Sequence, residues 1–304
     1  MTQTKIHEYT TFPRQFSSYR WFKPLLVGIL LLVFDILLFI VIARIGVLIG
    51  RMEGVSAASI LESTTYDTMD VYSAAGCTIN LGNIASLLVC LWFANRIVKD
   101  RPFSSFSSSR GGWDWKVFSR CLLIALPIIA IPNLVWLITE GPITSIRFTI
   151  FGFFACIVLG AIQWIAEEYV FRGFCLQTLA SWIRIPILAI VIQTAIFASM
   201  HPYDIVGVIE IFISGLIMGL TAWYTRGLEA SSAMHIINNL TIFLATGFGI
   251  GKMATETNPI GTLITVIADI TYFAILVYLD YKKPIFNHVL KDDVALYNEK
   301  LATK

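Results

Sequence analysis

Long apolar runs separated by short polar stretches dominate this chain. The runs are Leu25–Ala43, Tyr72–Ala94, Cys121–Thr139, Arg147–Ala166, Ile187–Met200, Ile205–Tyr224, Ala230–Phe248 and Ile260–Tyr281. A helix needs about 20 mostly apolar residues to cross a hydrocarbon core of about 30 Å, and most of these runs reach that length. The pattern predicts an all-α fold, a polytopic membrane helix bundle of about eight transmembrane helices. Pro127 and Pro132 predict kinks in the third helix. The stretch Phe171–Ile183 reads as an interfacial continuation of the fourth. The fifth is short, about 21 Å at 1.5 Å per residue, and Pro202 stops it, so its end falls within the membrane thickness. In the sixth, Gly215 and Gly219 are spaced to let another helix approach closely.

Composition agrees with a membrane protein. The chain has 304 residues, 57% hydrophobic and 14% charged, where soluble domains carry about a quarter charged residues. The five cysteines show no paired spacing and mostly lie in apolar runs, so they predict neither a disulfide framework nor a cysteine metal site. The net charge of +2 implies little, but its placement sets an orientation. Lysine and arginine gather in residues 1–24, in the loop 96–120, and at Lys282 and Lys283. Segment 44–72 is acidic and rich in Ser and Thr and reads as an external loop. The positive-inside tendency then puts both termini in the cytoplasm. The chain reads as an integral membrane protein of the plasma membrane whose surroundings are the lipid bilayer, with no nucleic-acid partner. No related halves are visible.

Ionisable groups inside apolar runs are costly and point to function. Glu167 and Glu168 follow a run long enough to span the bilayer, and Arg172 comes four residues after Glu168. Positions four apart on a helix face each other, so Glu168 and Arg172 pair, and Glu167 points about 100° away without that partner. A buried carboxylate lacking a cation is a candidate general base; interfacial charge at a helix end is the plainer alternative. His201 ends the short helix, and a hydrogen bond to loop backbone is its plainer reading. His235 and Asn239 share one helix face and need polar partners, either at a site or as structural bonds between helices. Counted from the cytoplasmic helix ends, His201 lies about 21 Å deep, His235 about 8 Å and Asn239 about 14 Å. Straight parallel helices would not bring them together.

Taken in order, Glu-Glu-x-x-x-Arg at 167–172, Phe-x-x-x-His at 197–201 and His-x-x-x-Asn at 235–239 resemble the motifs of the CPBP family. This is the CAAX protease or Abi family of intramembrane proteases and bacteriocin-processing, immunity and lysostaphin-resistance-like proteins. The resemblance covers about residues 148–250, including the approach Thr225-Arg226-Gly227-Leu228. It divides the chain into a cytoplasmic tail (1–24), three N-terminal helices with their loops (25–147), a catalytic helix core (148–250), and a final helix with its tail (251–304). It implies an endopeptidase acting on a membrane-associated protein or peptide. By motif position, Glu167 activates water with His201 as partner, His235 and Asn239 hold the oxyanion, and Glu168 with Arg172 forms the supporting pair. No cofactor is required in this expectation. The alternative is a Zn²⁺ held by Glu167, His201 and His235, a known catalytic ligand set. Two other functions compete: a non-proteolytic membrane protein that binds a bacteriocin, and a proton-coupled transporter that would also use Asp35 and Asp269.

Overall fold

Backbone amides in an apolar surrounding have no water to bond, so long apolar segments close their hydrogen bonds within helices. The computed structural model is built that way and describes residues 7–62, 70–252 and 257–303. Residues 1–6 of the N-terminal tail, 63–69 of the expected external loop, and 253–256 and 304 near the C-terminal end lie outside the described residues.

Helix α1 spans Lys23–Met52, starting at Pro24 in its first turn. It runs well past Ala43, where the apolar run ends. Arg44 and Arg51 lower the hydropathy but are good helix formers, and the helix gives way only near Gly54, at φ 79°. The first part of the expected external loop is therefore helical. After α2 (Ala57–Glu62), α3 (Ala74–Val98) starts at Ser73, whose side chain accepts from the Gly76 amide. A short α4 (Ser104–Ser107) sits in the basic loop. Helices α5 (Trp115–Ala125) and α6 (Ile131–Glu140) are joined by a π-turn at Leu126–Ala130 that contains Pro127, and Pro132 sits in the first turn of α6.

Helix α7 (Ile150–Glu168), a π-turn (Tyr169–Cys175) and α8 (Leu176–Ile183) follow without a break. Phe171–Ile183 thus continues the fourth helix, as expected. It completes a path of 34 residues from Ile150 to Ile183. The chain reverses at Arg184, φ 63°, into α9 (Pro186–Ser199). Then come α10 (Ile205–Thr225), capped by Asp204, α11 (Glu229–Gly247), α12 (Pro259–Lys282) and α13 (Asp293–Ala302). Among the described residues six helical paths are long and apolar enough to cross a membrane. The expected eight also counted α9, which has only 14 residues, and α11, which carries Ser, His, Asn and Thr along its length.

Helix α11 owes its place to its neighbours. It packs against α5, α6, α7 and α10, and residues 228–237 are buried. Ser231, Ser232 and His235 therefore face protein, while outward positions such as Leu32, Ile36, Leu123 and Phe151 are exposed and apolar, as a lipid-facing surface requires. Gly215 and Gly219 make the close approach that their spacing predicts. A Cβ at Gly215 would lie 2.8 Å from Thr194 of α9, and one at Gly219 would lie 2.8 Å from Ile190.

Both polar tails fold onto one end of the bundle. Tyr9 Oη donates to the Phe106 carbonyl at 2.7 Å, and the Ser17 amide donates to Asn298 Oδ1 at 2.9 Å. His288 Nε2 lies 2.6 Å from Asp114 Oδ2, and the Leu290 amide donates to the Arg110 carbonyl. Burial raises the Asp114 carboxyl. The His288 bond and the backbone amides of Val117 and Lys116 outweigh it and hold the group below the usual carboxylate range. Under the same cap, Arg110 Nη2 donates to Glu229 Oε2 at 2.7 Å, and both side chains are sealed from solvent. That ion pair fixes the first turn of α11, the helix that carries His235 and Asn239.

Candidate active site

The four-residue spacing on α7 and its π-turn produces the expected pair. Arg172 Nη1 donates to Glu168 Oε1 at 2.8 Å, and both side chains are 0% exposed. Arg172 is held on two further sides. Its Nη2 donates to the Gly215 carbonyl at 3.2 Å, and its guanidinium lies 4.5 Å from the Phe197 ring centroid. Gly215 matters here as well, because a Cβ would come within 3.3 Å of Arg172 Nη2.

His235 joins the two glutamates. Its Nδ1 lies 3.1 Å from Glu168 Oε1, and its Nε2 lies 3.4 Å from Glu167 Oε2. A carboxylate accepts only, so the Glu168 contact is a hydrogen bond with Nδ1–H as donor, and the longer Glu167 contact is an approach of opposite polarity. The cluster thus gathers two carboxylates, a guanidinium and an imidazole against one another, the pairing that burial of charge demands. Access is unequal within it. The Glu167 side chain keeps 11% exposure and His235 5%, whereas Glu168 and Arg172 keep none.

His201 is placed differently. Its Nδ1 lies 2.9 Å from the Phe197 carbonyl, so Nδ1 carries the proton there. In the neutral ring Nε2 then keeps its lone pair. The Phe197 ring approaches both histidines, 4.7 Å from the His201 ring and 6.2 Å from that of His235. The depth mismatch counted on straight helices is reduced to one aromatic side chain. No ion-pair contact joins His201 to Glu167 among the described residues; the histidine in contact with Glu167 is His235.

Asn239 lies one turn beyond His235 and is half-buried. Its Oδ1 accepts from Asn238 Nδ2 at 3.1 Å. Asn238, which the motif spacing does not single out, in turn accepts from Asn133 Nδ2 at 3.0 Å. Asn133 stands alone as a polar residue among the apolar positions from Cys121 to Trp136, and that isolation was the available signal. Gln163, one turn before Glu167, is also buried, and among the described residues its amide oxygen has no partner. Of the transporter candidates, Asp269 accepts from Ser214 at 2.6 Å, and Asp35 lies on α1 with one buried oxygen that has no partner among the described residues.

The residues of the zinc alternative, Glu167, His201 and His235, do not converge. Among the described residues no group of three His, Cys, Asp or Glu side chains is close enough to hold one ion. Glu167 and His235 face each other instead, and His201 is turned onto Phe197.

A family model described as Type II CAAX prenyl endopeptidase Rce1-like matches residues 147–241. That segment holds every residue of the cluster. No curated protein matches the chain significantly, and no solved structure does.

Proposed function

We propose, on the premise that segment 147–241 belongs to the Rce1-like CAAX endopeptidase family, that this protein hydrolyses a peptide bond of a membrane-associated protein or peptide. The observation that carries the reading is the unequal access within the buried cluster. Glu167 keeps an opening, while its neighbour Glu168 is sealed against Arg172. In this reading Glu167 takes a proton from water as the oxygen attacks the carbonyl carbon. The unprotonated Nε2 of His201 accepts the second water hydrogen bond and orients it. His235 Nε2–H and the Asn239 amide donate to the developing oxyanion. Protonated Glu167 then gives its proton to the leaving amine. Such donors act chiefly on the transition state. Glu168 and Arg172 hold His235 and the π-turn in place. The setting proposed is the plasma membrane with both termini cytoplasmic.

The test compares membranes from cells making equal amounts of the wild type and Glu167→Gln. New N- and C-termini are identified by mass spectrometry. We expect at least one membrane-associated substrate to yield new termini only with the wild type. Identical terminal profiles would overturn the protease reading and favour a binding protein that merely folds around the cluster.

A further inference from the structure

The bonds around Asn239 continue away from the cluster through two other helices. Thr265 Oγ1 of α12 donates to Asn133 Oδ1 of α6 at 3.2 Å. Asn133 Nδ2 donates to Asn238 Oδ1 of α11 at 3.0 Å, and Asn238 Nδ2 donates to Asn239 Oδ1 at 3.1 Å. Asn133 is 5% exposed and Thr265 7%, so the far end of this line is away from solvent. Each asparagine amide accepts at one end and donates at the other. Turning any one of them would set N–H against N–H or oxygen against oxygen in a low-dielectric interior, where unmade hydrogen bonds are costly. The line therefore has one direction when Thr265 donates.

We infer that Thr265, Asn133 and Asn238 form a polar relay that positions Asn239, turning its NH₂ toward the reacting oxygen by occupying its carbonyl. These three are positioning residues, and the inference rests on the proposed oxyanion role of Asn239. The chemistry gives the reason for such a device. Asn239 and His235 share one face of α11, and an amide free to flip would present its oxygen to an oxyanion for part of the time. Occupying Oδ1 leaves only N–H bonds to face the site. Thr265 lies on α12, outside the matched segment, so the relay ties the last long helix to the site.

The probe is a synthetic peptide spanning the bond whose cleavage depends on Glu167 in the membrane comparison, with the full-length protein in proteoliposomes. Thr265→Val keeps the shape and removes the donor. We expect kcat to fall about tenfold with KM unchanged, the scale of one lost hydrogen bond in the transition state. Thr265→Ser restores it. In an Asn239→Ala background, Thr265→Val has no further effect on kcat, because the group it orients is gone. A merely structural role would instead multiply the two losses. Asn133→Leu should repeat the pattern; if that variant does not fold, judged by thermal unfolding in detergent, the Val and Ser variants at 265 carry the test. Unchanged kcat in Thr265→Val, or full multiplication with Asn239→Ala, overturns the relay alone. Unchanged kcat in Asn239→Ala, with cleavage still abolished by Glu167→Gln, overturns the oxyanion role and the relay with it. Absence of any Glu167-dependent cleavage overturns the protease reading and the relay together.

Discussion

Glu167 and Glu168 are neighbours in sequence with different surroundings, so neutralising each should have different consequences. Glu168 contacts Arg172 at 2.8 Å and His235 at 3.1 Å, with no exposure of either Glu168 or Arg172. Glu168→Gln keeps the shape but leaves the Arg172 charge buried without its anion. Removing one partner of a buried pair costs about 3–5 kcal/mol, most of it the uncompensated charge. At about 2–4 °C per kcal/mol, 3 kcal/mol lowers the unfolding midpoint by roughly 6–12 °C. Glu167 has one longer contact, 3.4 Å to His235, and a side chain that keeps some access. Glu167→Gln should therefore lower the midpoint by no more than about 2–4 °C, the scale of 1 kcal/mol, while abolishing hydrolysis. The assay is thermal unfolding in one detergent at one pH, with cleavage measured on the same preparations. Equal destabilisation by the two substitutions would refute the division into a supporting and a reacting carboxylate.

Reporter fusions at Lys23 and after Lys283 should both report cytoplasm; an external signal from either would reverse the assigned orientation. Cleavage should survive chelation in a metal-free preparation, whereas about one zinc per chain with chelator-sensitive, zinc-restored cleavage would make His201 and His235 ligands. Asn239→Ala should lower kcat by about 10²–10³ and change KM little, as for other oxyanion donors; a loss confined to KM would place Asn239 in ground-state binding. Asp114 has its folded pKa below its ordinary value of 3.8, so its stabilisation is full above that value and is lost as pH falls through the folded pKa. The midpoint difference between wild type and Asp114→Asn should shrink as pH falls below about 4; a difference that persists undiminished at lower pH would contradict the contact.

Hydropathy located the helices well but misjudged where α1 ends. Arg44 and Arg51 ended the apolar run without ending α1. Glu167, Glu168 and Arg172 interrupted the run before α8, yet the π-turn carries the chain straight on. Such a turn changes only the backbone bonding pattern, and no hydropathy signal marks it. The Glu168–Arg172 pair was legible because a four-residue spacing fixes its geometry. The His235 contacts were not, because they join residues more than 60 positions apart through the packing of α7 against α11. The motif gave Asn239 and passed over Asn238, whose importance appears only when Asn133 arrives from α6. The docking of both tails onto the basic loop had no periodicity to announce it, since it rests on single contacts such as His288 to Asp114.

In the proposed reaction Glu167 activates water to cut a peptide bond within the membrane. Its most direct test is cleavage of the identified peptide by purified protein in proteoliposomes made up in ¹⁸O-labelled water. One labelled oxygen is expected in the new carboxyl terminus with the wild type, and no product with Glu167→Gln despite a near-normal unfolding midpoint. Labelled product formed at the wild-type rate by Glu167→Gln would contradict it.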